Sequence, residues 1–172
     1  GCGFSDKPLD FFYQFETLAG AVKEFLDARQ IKEVIFAGHS MGGGVGLAFA
    51  ALYPEKTQKL ILIDPANPYD LESLMPFEKM TRQPGFFILT LMDQLLLSKK
   101  VYENKICEKQ KISLSEIRKI TAHKWTQNCR KAARQIVAQG GIAGMFRLRE
   151  KIARIQCPVL LIYGGKDRIV NP

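Results

Sequence analysis

Residues 38–42 read Gly-His-Ser-Met-Gly, between a short apolar run, "KEVIFAGHS" (32–40), and a stretch of helical composition, "VGLAFAALYP" (45–54). A serine with glycine two positions to either side, entered from a strand and left by a helix, is the pattern of a hydroxyl held out on a sharp reversal for nucleophilic attack. The reversal forces its middle residue into a strained backbone conformation. Bulky side chains two residues away would collide, so Gly38 and Gly42 are expected to make the turn feasible. The amino terminus of the next helix adds N–H groups without helical partners and the positive end of a dipole, both favourable to an oxyanion beside Ser40. A second reactive group lies far along the chain: Asp167, in the Gly-flanked turn of "YGGKDRIVNP" (163–172), directly after another apolar run.

The elements that must position these groups follow from apolar periodicity. "YQFETLAGAVKEFLDARQ" (13–30) sets Phe15, Leu18, Ala19, Val22, Phe25 and Leu26 at helical spacing, with Lys23 and Glu24 on the other side. "QKLILIDP" (58–65) and "CPVLLIYGG" (157–165) join 32–40 as short, unbroken apolar runs bounded by Pro, Gly or Asp. Unbroken rather than alternating apolarity predicts strands covered on both faces, hence a parallel sheet between helices and an α/β fold. Residues 66–156 carry no strand signal, far more chain than a crossover helix requires, and read as an insertion. It opens with "PANPYD" (65–70), passes through "GFFILTLMDQLLL" (85–97), and holds a long helix over 113–139 with a Ser113/Glu116 capping box and a Gly140-Gly141 stop. The expected organisation is a core segment, 1–66, a helical lid, 67–152, and a returning core strand with its acid turn, 153–172.

With 47% hydrophobic and 24% charged residues, the chain has the composition of a globular domain with a core, not of a disordered or fibrous one. Its net charge of +8 is concentrated: residues 99–154 hold fifteen Lys and Arg against four Asp and Glu, and the remainder is slightly acidic. Such a run reads as solvated helix faces, and no nucleic-acid module accompanies it, so no nucleic-acid partner is expected. Cys2, Cys107, Cys129 and Cys157 are scattered, without a grouping that His39 or His123 could complete as a metal site. They read as reduced thiols of an intracellular, cytoplasmic protein. No apolar run reaches the ~18 residues of a membrane-crossing helix. The apolar stretch 84–97, broken by Asp93, reads as the core of the insertion, with peripheral contact of the lid at a lipid interface as the alternative. A loop-like start at Gly1 instead of Met suggests a piece of a larger domain.

On these residues the sequence resembles the α/β-hydrolase superfamily, in its lid-bearing branch of serine esterases, lipases and carbon–carbon hydrolases. "GCGFSDKP" (1–8) resembles the loop that follows the family's fourth strand, "GHSMGG" (38–43) its nucleophile elbow, and "CPVLLIYGGKDRIVNP" (157–172) its seventh strand and acid turn. The resemblance implies a partial α/β-hydrolase fold, Ser40 as nucleophile, the N–H of Met41 as one oxyanion donor, and Asp167 as the acid of a catalytic triad. It implies no metal or organic cofactor and a small-molecule ester or acyl substrate, with carbon–carbon hydrolysis of ring-cleavage products as the alternative and a non-catalytic binding member as the rival. Dehalogenase and epoxide hydrolase chemistry is disfavoured because those relatives carry Asp where this chain has Ser40. The family order places the histidine base after the acid, but no histidine follows Asp167; His39 lies inside the elbow and His123 inside the insertion. The base and the second oxyanion donor are therefore expected outside these residues. Asp64, at the end of its own strand, competes with Asp167 for the acid role, and its plainer reading is a strand-end turn carboxylate before Pro65.

Overall fold

Helix α1 (Phe15–Ala28) forms where the apolar periodicity places it, and Phe15, Ala19 and Leu26 are buried along one line with Leu18 and Val22 packed beside them. Phe25 departs from the expectation: it is 60% exposed, because the line from Phe15 through Ala19 to Leu26 already faces the core and Phe25 falls on its flank. The structure, a computed structural model, describes residues 5–8, 10–66, 68–69, 115, 142–165 and 167.

After α1 come strand β1 (Val34–His39), helix α2 (Met41–Leu52), a 3-10 turn over Pro54–Lys56 and strand β2 (Thr57–Ile63). Helix α3 (Ile142–Lys151), a second 3-10 turn (Ile152–Arg154) and strand β3 (Val159–Ile162) follow. The three strands form one parallel sheet in the order β1-β2-β3, with Gly38 opposite Leu62, His39 opposite Ile63, and Ile63 opposite Ile162. The α/β class read from the three apolar runs is the fold observed.

Helix α2 is the centre of the packing. It lies between the sheet on one side and α1 and α3 on the other, so every residue from Gly43 to Ala51 is buried and no polar face is needed. It begins at Met41, earlier than composition suggests, because glycines that are poor helix formers are held there by close neighbours. A Cβ on Gly44 would stand 2.6 Å from the Phe15 ring of α1, and one on Gly46 would stand 3.0 Å from Phe36 and 3.1 Å from Leu60 of the sheet. Ala48, Phe49, Leu60, Leu62 and Leu148 form the fully enclosed centre, with the rings of Phe36, Phe49 and Tyr53 in tilted contact, their centroids 5.3 and 5.4 Å apart.

Helix α3 belongs to the segment assigned to the insertion, and it docks on this core. Leu148 is buried in it, and Glu16 of α1 accepts a 2.8 Å hydrogen bond from Lys151, with Arg147 at 3.5 Å. Burial pushes the Glu16 carboxyl up, but the Lys151 hydrogen bond, a backbone hydrogen bond and the charges of Lys151 and Arg147 outweigh it and hold the group below its ordinary range.

The expectation of two covered faces is not met: burial alternates along β1, with Ile35 and Ala37 exposed, Ile63 of β2 is exposed as well, and β3 departs furthest. Val159, Leu160, Leu161 and Ile162 are all exposed, because β3 is the outer strand and, among the described residues, β2 is its only sheet neighbour. The long helix of 113–139, apart from Ser115, and the apolar stretch 85–97 lie outside the described residues. Of the cysteines, Cys157 is described, as a half-buried free thiol. Among the described residues no helix is long and apolar enough to cross a membrane.

Candidate active site

The carboxyl ends of three parallel strands bring the candidate groups to one edge of the sheet: Ser40 follows β1, Asp64 follows β2, and Asp167 lies five residues beyond β3. This is the edge at which open α/β sheets bind ligands. The main chain stays in register past the strand ends, with the Ser40 N–H donating to the Ile63 carbonyl at 3.0 Å and the Asp64 N–H donating to the Ile162 carbonyl at 2.9 Å.

Ser40 has φ 52° and ψ −120°, a conformation that costs a non-glycine residue on the order of 1–3 kcal/mol and persists only where the surroundings over-determine it. The surroundings do so here. A Cβ on Gly38 would collide with the backbone of Gly42, 2.6 Å from its carbonyl carbon, and would lie 2.8 Å from the Gly43 nitrogen. The Ser40 carbonyl accepts hydrogen bonds from Gly43 at 2.9 Å and from Ala66 at 2.8 Å, with a longer one from Gly44 at 3.4 Å. Ser40 is half-buried, and its hydroxyl makes no capping hydrogen bond to α2, although Ser40 stands at the N-cap, where a serine ordinarily spends its side chain on the helix.

Met41 is the first residue of α2, so its N–H has no acceptor within the helix and the dipole of the helix points its positive end at the same place. His39 ends β1 and is exposed. The role expected of Gly42 needs correction. A Cβ there meets nothing within 4 Å, whereas one on Gly43 would stand 2.6 Å from the Cβ of Pro65 and 2.8 Å from its Cα. Gly43 is therefore the second glycine the elbow requires, since its neighbour comes from the far side of β2, and only "GHSMGG" with its third glycine hinted at it in the sequence.

On the acid side, the Asp167 N–H donates to the Gly164 carbonyl at 2.8 Å, closing a tight turn, and Asp167 is half-buried. Asp64 sits in the left-handed region at φ 39°, and its Oδ1 accepts a 2.8 Å hydrogen bond from the Gly164 N–H. Its carboxylate is engaged in holding the turn that carries Asp167. His123 and residues 1–4 of the 1–8 loop lie outside the described residues, which hold no group of three or more His, Cys, Asp or Glu suited to a metal ion.

A strand, a strained serine and a glycine-lined buried helix, with a carboxylate turn on the same sheet edge, define an α/β-hydrolase core. The chain belongs to this superfamily: residues 1–172 match the family model described as "Serine aminopeptidase, S33". It is 30% identical, over 98% of its length, to the "AB hydrolase superfamily protein YisY" of Bacillus subtilis, of which it covers 62%. It is 25% identical over its whole length to "Lipase 3" of a Moraxella species, of which it covers 53%. The chain thus spans roughly half to three fifths of the curated relatives it matches. Among solved structures, the epoxide hydrolase CorEH superposes with a TM-score of 0.81 over 96% of this chain and 62% of that one, at 18% identity, a likeness of fold alone.

Proposed function

We propose that the protein is a serine hydrolase that cleaves carboxylic esters through an acyl-enzyme. In this reading the Ser40 Oγ attacks the substrate carbonyl carbon while a histidine outside these residues takes its proton. The resulting oxyanion accepts a hydrogen bond from the Met41 N–H. Collapse of the tetrahedral intermediate breaks the carbon–oxygen bond, and the alcohol leaves with the proton returned by the histidine. Water, deprotonated by the same base, then releases the acid and restores Ser40. Asp167 orients the base and stabilises its protonated form.

The observation that carries this reading is the backbone of Ser40, at φ 52° between the last residue of β1 and the first of α2, with its hydroxyl left out of helix capping. A serine whose only task was to begin a helix would have an extended backbone and a capping hydrogen bond. Alignment of the entire chain with a protein named as a lipase favours esters over the peptide bonds in the family's description.

The test uses the complete protein with a panel of p-nitrophenyl esters, aminoacyl anilides and vinylogous diketones, together with a fluorophosphonate probe. Ser40→Ala is expected to lower ester turnover at least about a thousandfold and to abolish labelling, with the fold intact by circular dichroism. Turnover retained in that variant excludes Ser40 as nucleophile. A preference for the diketones transfers the site to carbon–carbon hydrolysis.

A further inference from the structure

We infer that Asp64 is a positioning residue for the acid turn: it sets the place of Asp167 by a clasp between the end of β2 and the turn after β3. The kinetic part of this inference rests on the serine hydrolase reading above. The clasp has two strands of evidence. The Asp64 N–H donates to the Ile162 carbonyl at 2.9 Å, which fixes the end of β3, and the Asp64 Oδ1 accepts the Gly164 N–H at 2.8 Å, which fixes the first residue of the turn. Gly164 in turn accepts the N–H of Asp167 at 2.8 Å, so Asp64 and Asp167 are joined through one peptide unit on either side of Gly164.

The need for such a clasp follows from the character of β3. All four of its residues are exposed, and among the described residues its sheet neighbour is β2 alone, so the end of β2 is the described strand end that lies beside the turn. A carboxylate at that strand end adds a charge-assisted hydrogen bond to the backbone of the turn. The left-handed backbone of Asp64, φ 39°, aims the side chain across to β3, and Asp is among the few residues besides glycine that visit this region routinely. In this reading the two carboxylates that the sequence left in competition have different parts: the one that follows β2 holds the backbone of the turn that carries the other.

Two variants of the complete protein isolate the acceptor, because Gly and Asn both tolerate a positive φ and only Asn offers an oxygen. Asp64→Gly is expected to lower kcat about 10- to 100-fold at nearly unchanged KM, the effect of a displaced catalytic group. Asp64→Asn is expected to restore kcat to within about threefold of the parent, since its side-chain carbonyl accepts the same N–H. The second readout does not depend on activity: with 15N-glycine labelling, hydrogen exchange at the Gly164 amide is expected to accelerate in Asp64→Gly and to return to the parent rate in Asp64→Asn. Unchanged kcat in Asp64→Gly overturns the inference, as does an Asp64→Asn variant as slow as Asp64→Gly, which would make the charge itself the requirement and Asp64 the acid. Unchanged exchange at Gly164 in Asp64→Gly overturns the clasp whatever the chemistry of Ser40. Failure of the parent reading registers separately, as turnover retained in Ser40→Ala.

Discussion

The elbow after β1 and the turn after β3 leave the same edge of one sheet, yet they are held by opposite means. Around Ser40 the backbone is wedged: Gly38 lies against the carbonyl of Gly42, Gly43 against Pro65, and three N–H groups converge on the Ser40 carbonyl. Around Asp167 the described restraints are hydrogen bonds through Gly164, whose own Cβ would meet its neighbours only at ordinary contact distances, at the end of a strand whose side chains are all exposed. A strained residue needs neighbours that leave it no alternative. A carboxylate with the orienting role proposed for Asp167 needs a defined place, and directional hydrogen bonds through Gly164 help to give it one.

The contrast can be broken or sharpened with glycines, since each region has its own. Gly38→Ala is expected to have the largest effect, a loss of about 3 kcal/mol in chemical denaturation together with loss of probe labelling, because the new methyl group meets rigid backbone in place of a movable side chain. Stability unchanged in that variant would show that the elbow can relax, and the wedge account would fail. Gly43→Ala comes next. Its methyl group meets the Pro65 ring, a cost that the better helix propensity of alanine partly offsets, for a net loss of about 1–2 kcal/mol by the same measurement. Gly164→Ala is expected to change stability by less than about 0.5 kcal/mol, because its Cβ would lie at ordinary contact distances, 3.7 Å from the Asp167 Cβ and 3.8 Å from the Asp64 Oδ1. A large loss there would mean that the acid turn is wedged like the elbow.

What could be read from the sequence divides along the same line. The elbow was legible because everything that marks it is local: strand, glycine, serine, glycine and helix stand in one short stretch. The α/β class was legible for a related reason, as unbroken apolar runs have few other homes. Gly43 was not assigned its part because the Pro65 against which it packs follows the next strand, and spacing alone pointed to Gly42 instead. Asp64 was read as a turn carboxylate or a rival acid because its partner, Gly164, lies 100 residues further along the chain. Phe25 fits the helical period but not the burial, since period marks a stripe and only its centre line meets α2. The exposed β3 shows the complementary limit: apolarity reports what a strand is suited to, while its neighbours decide what covers it.

The confinement of Ser40 has a consequence for how such a protein can change over evolutionary time. Its left-handed backbone is imposed by Gly38, by the neighbours of Gly43 and by hydrogen bonds to its carbonyl, and none of these restraints touches its hydroxyl. The elbow is thus a socket that holds whatever residue stands there without reading its side chain. On the proposed reading of Ser40, a single codon can exchange the reactive atom while the scaffold that holds it persists, so new chemistry can be tried at this position before any other part of the chain has to adapt.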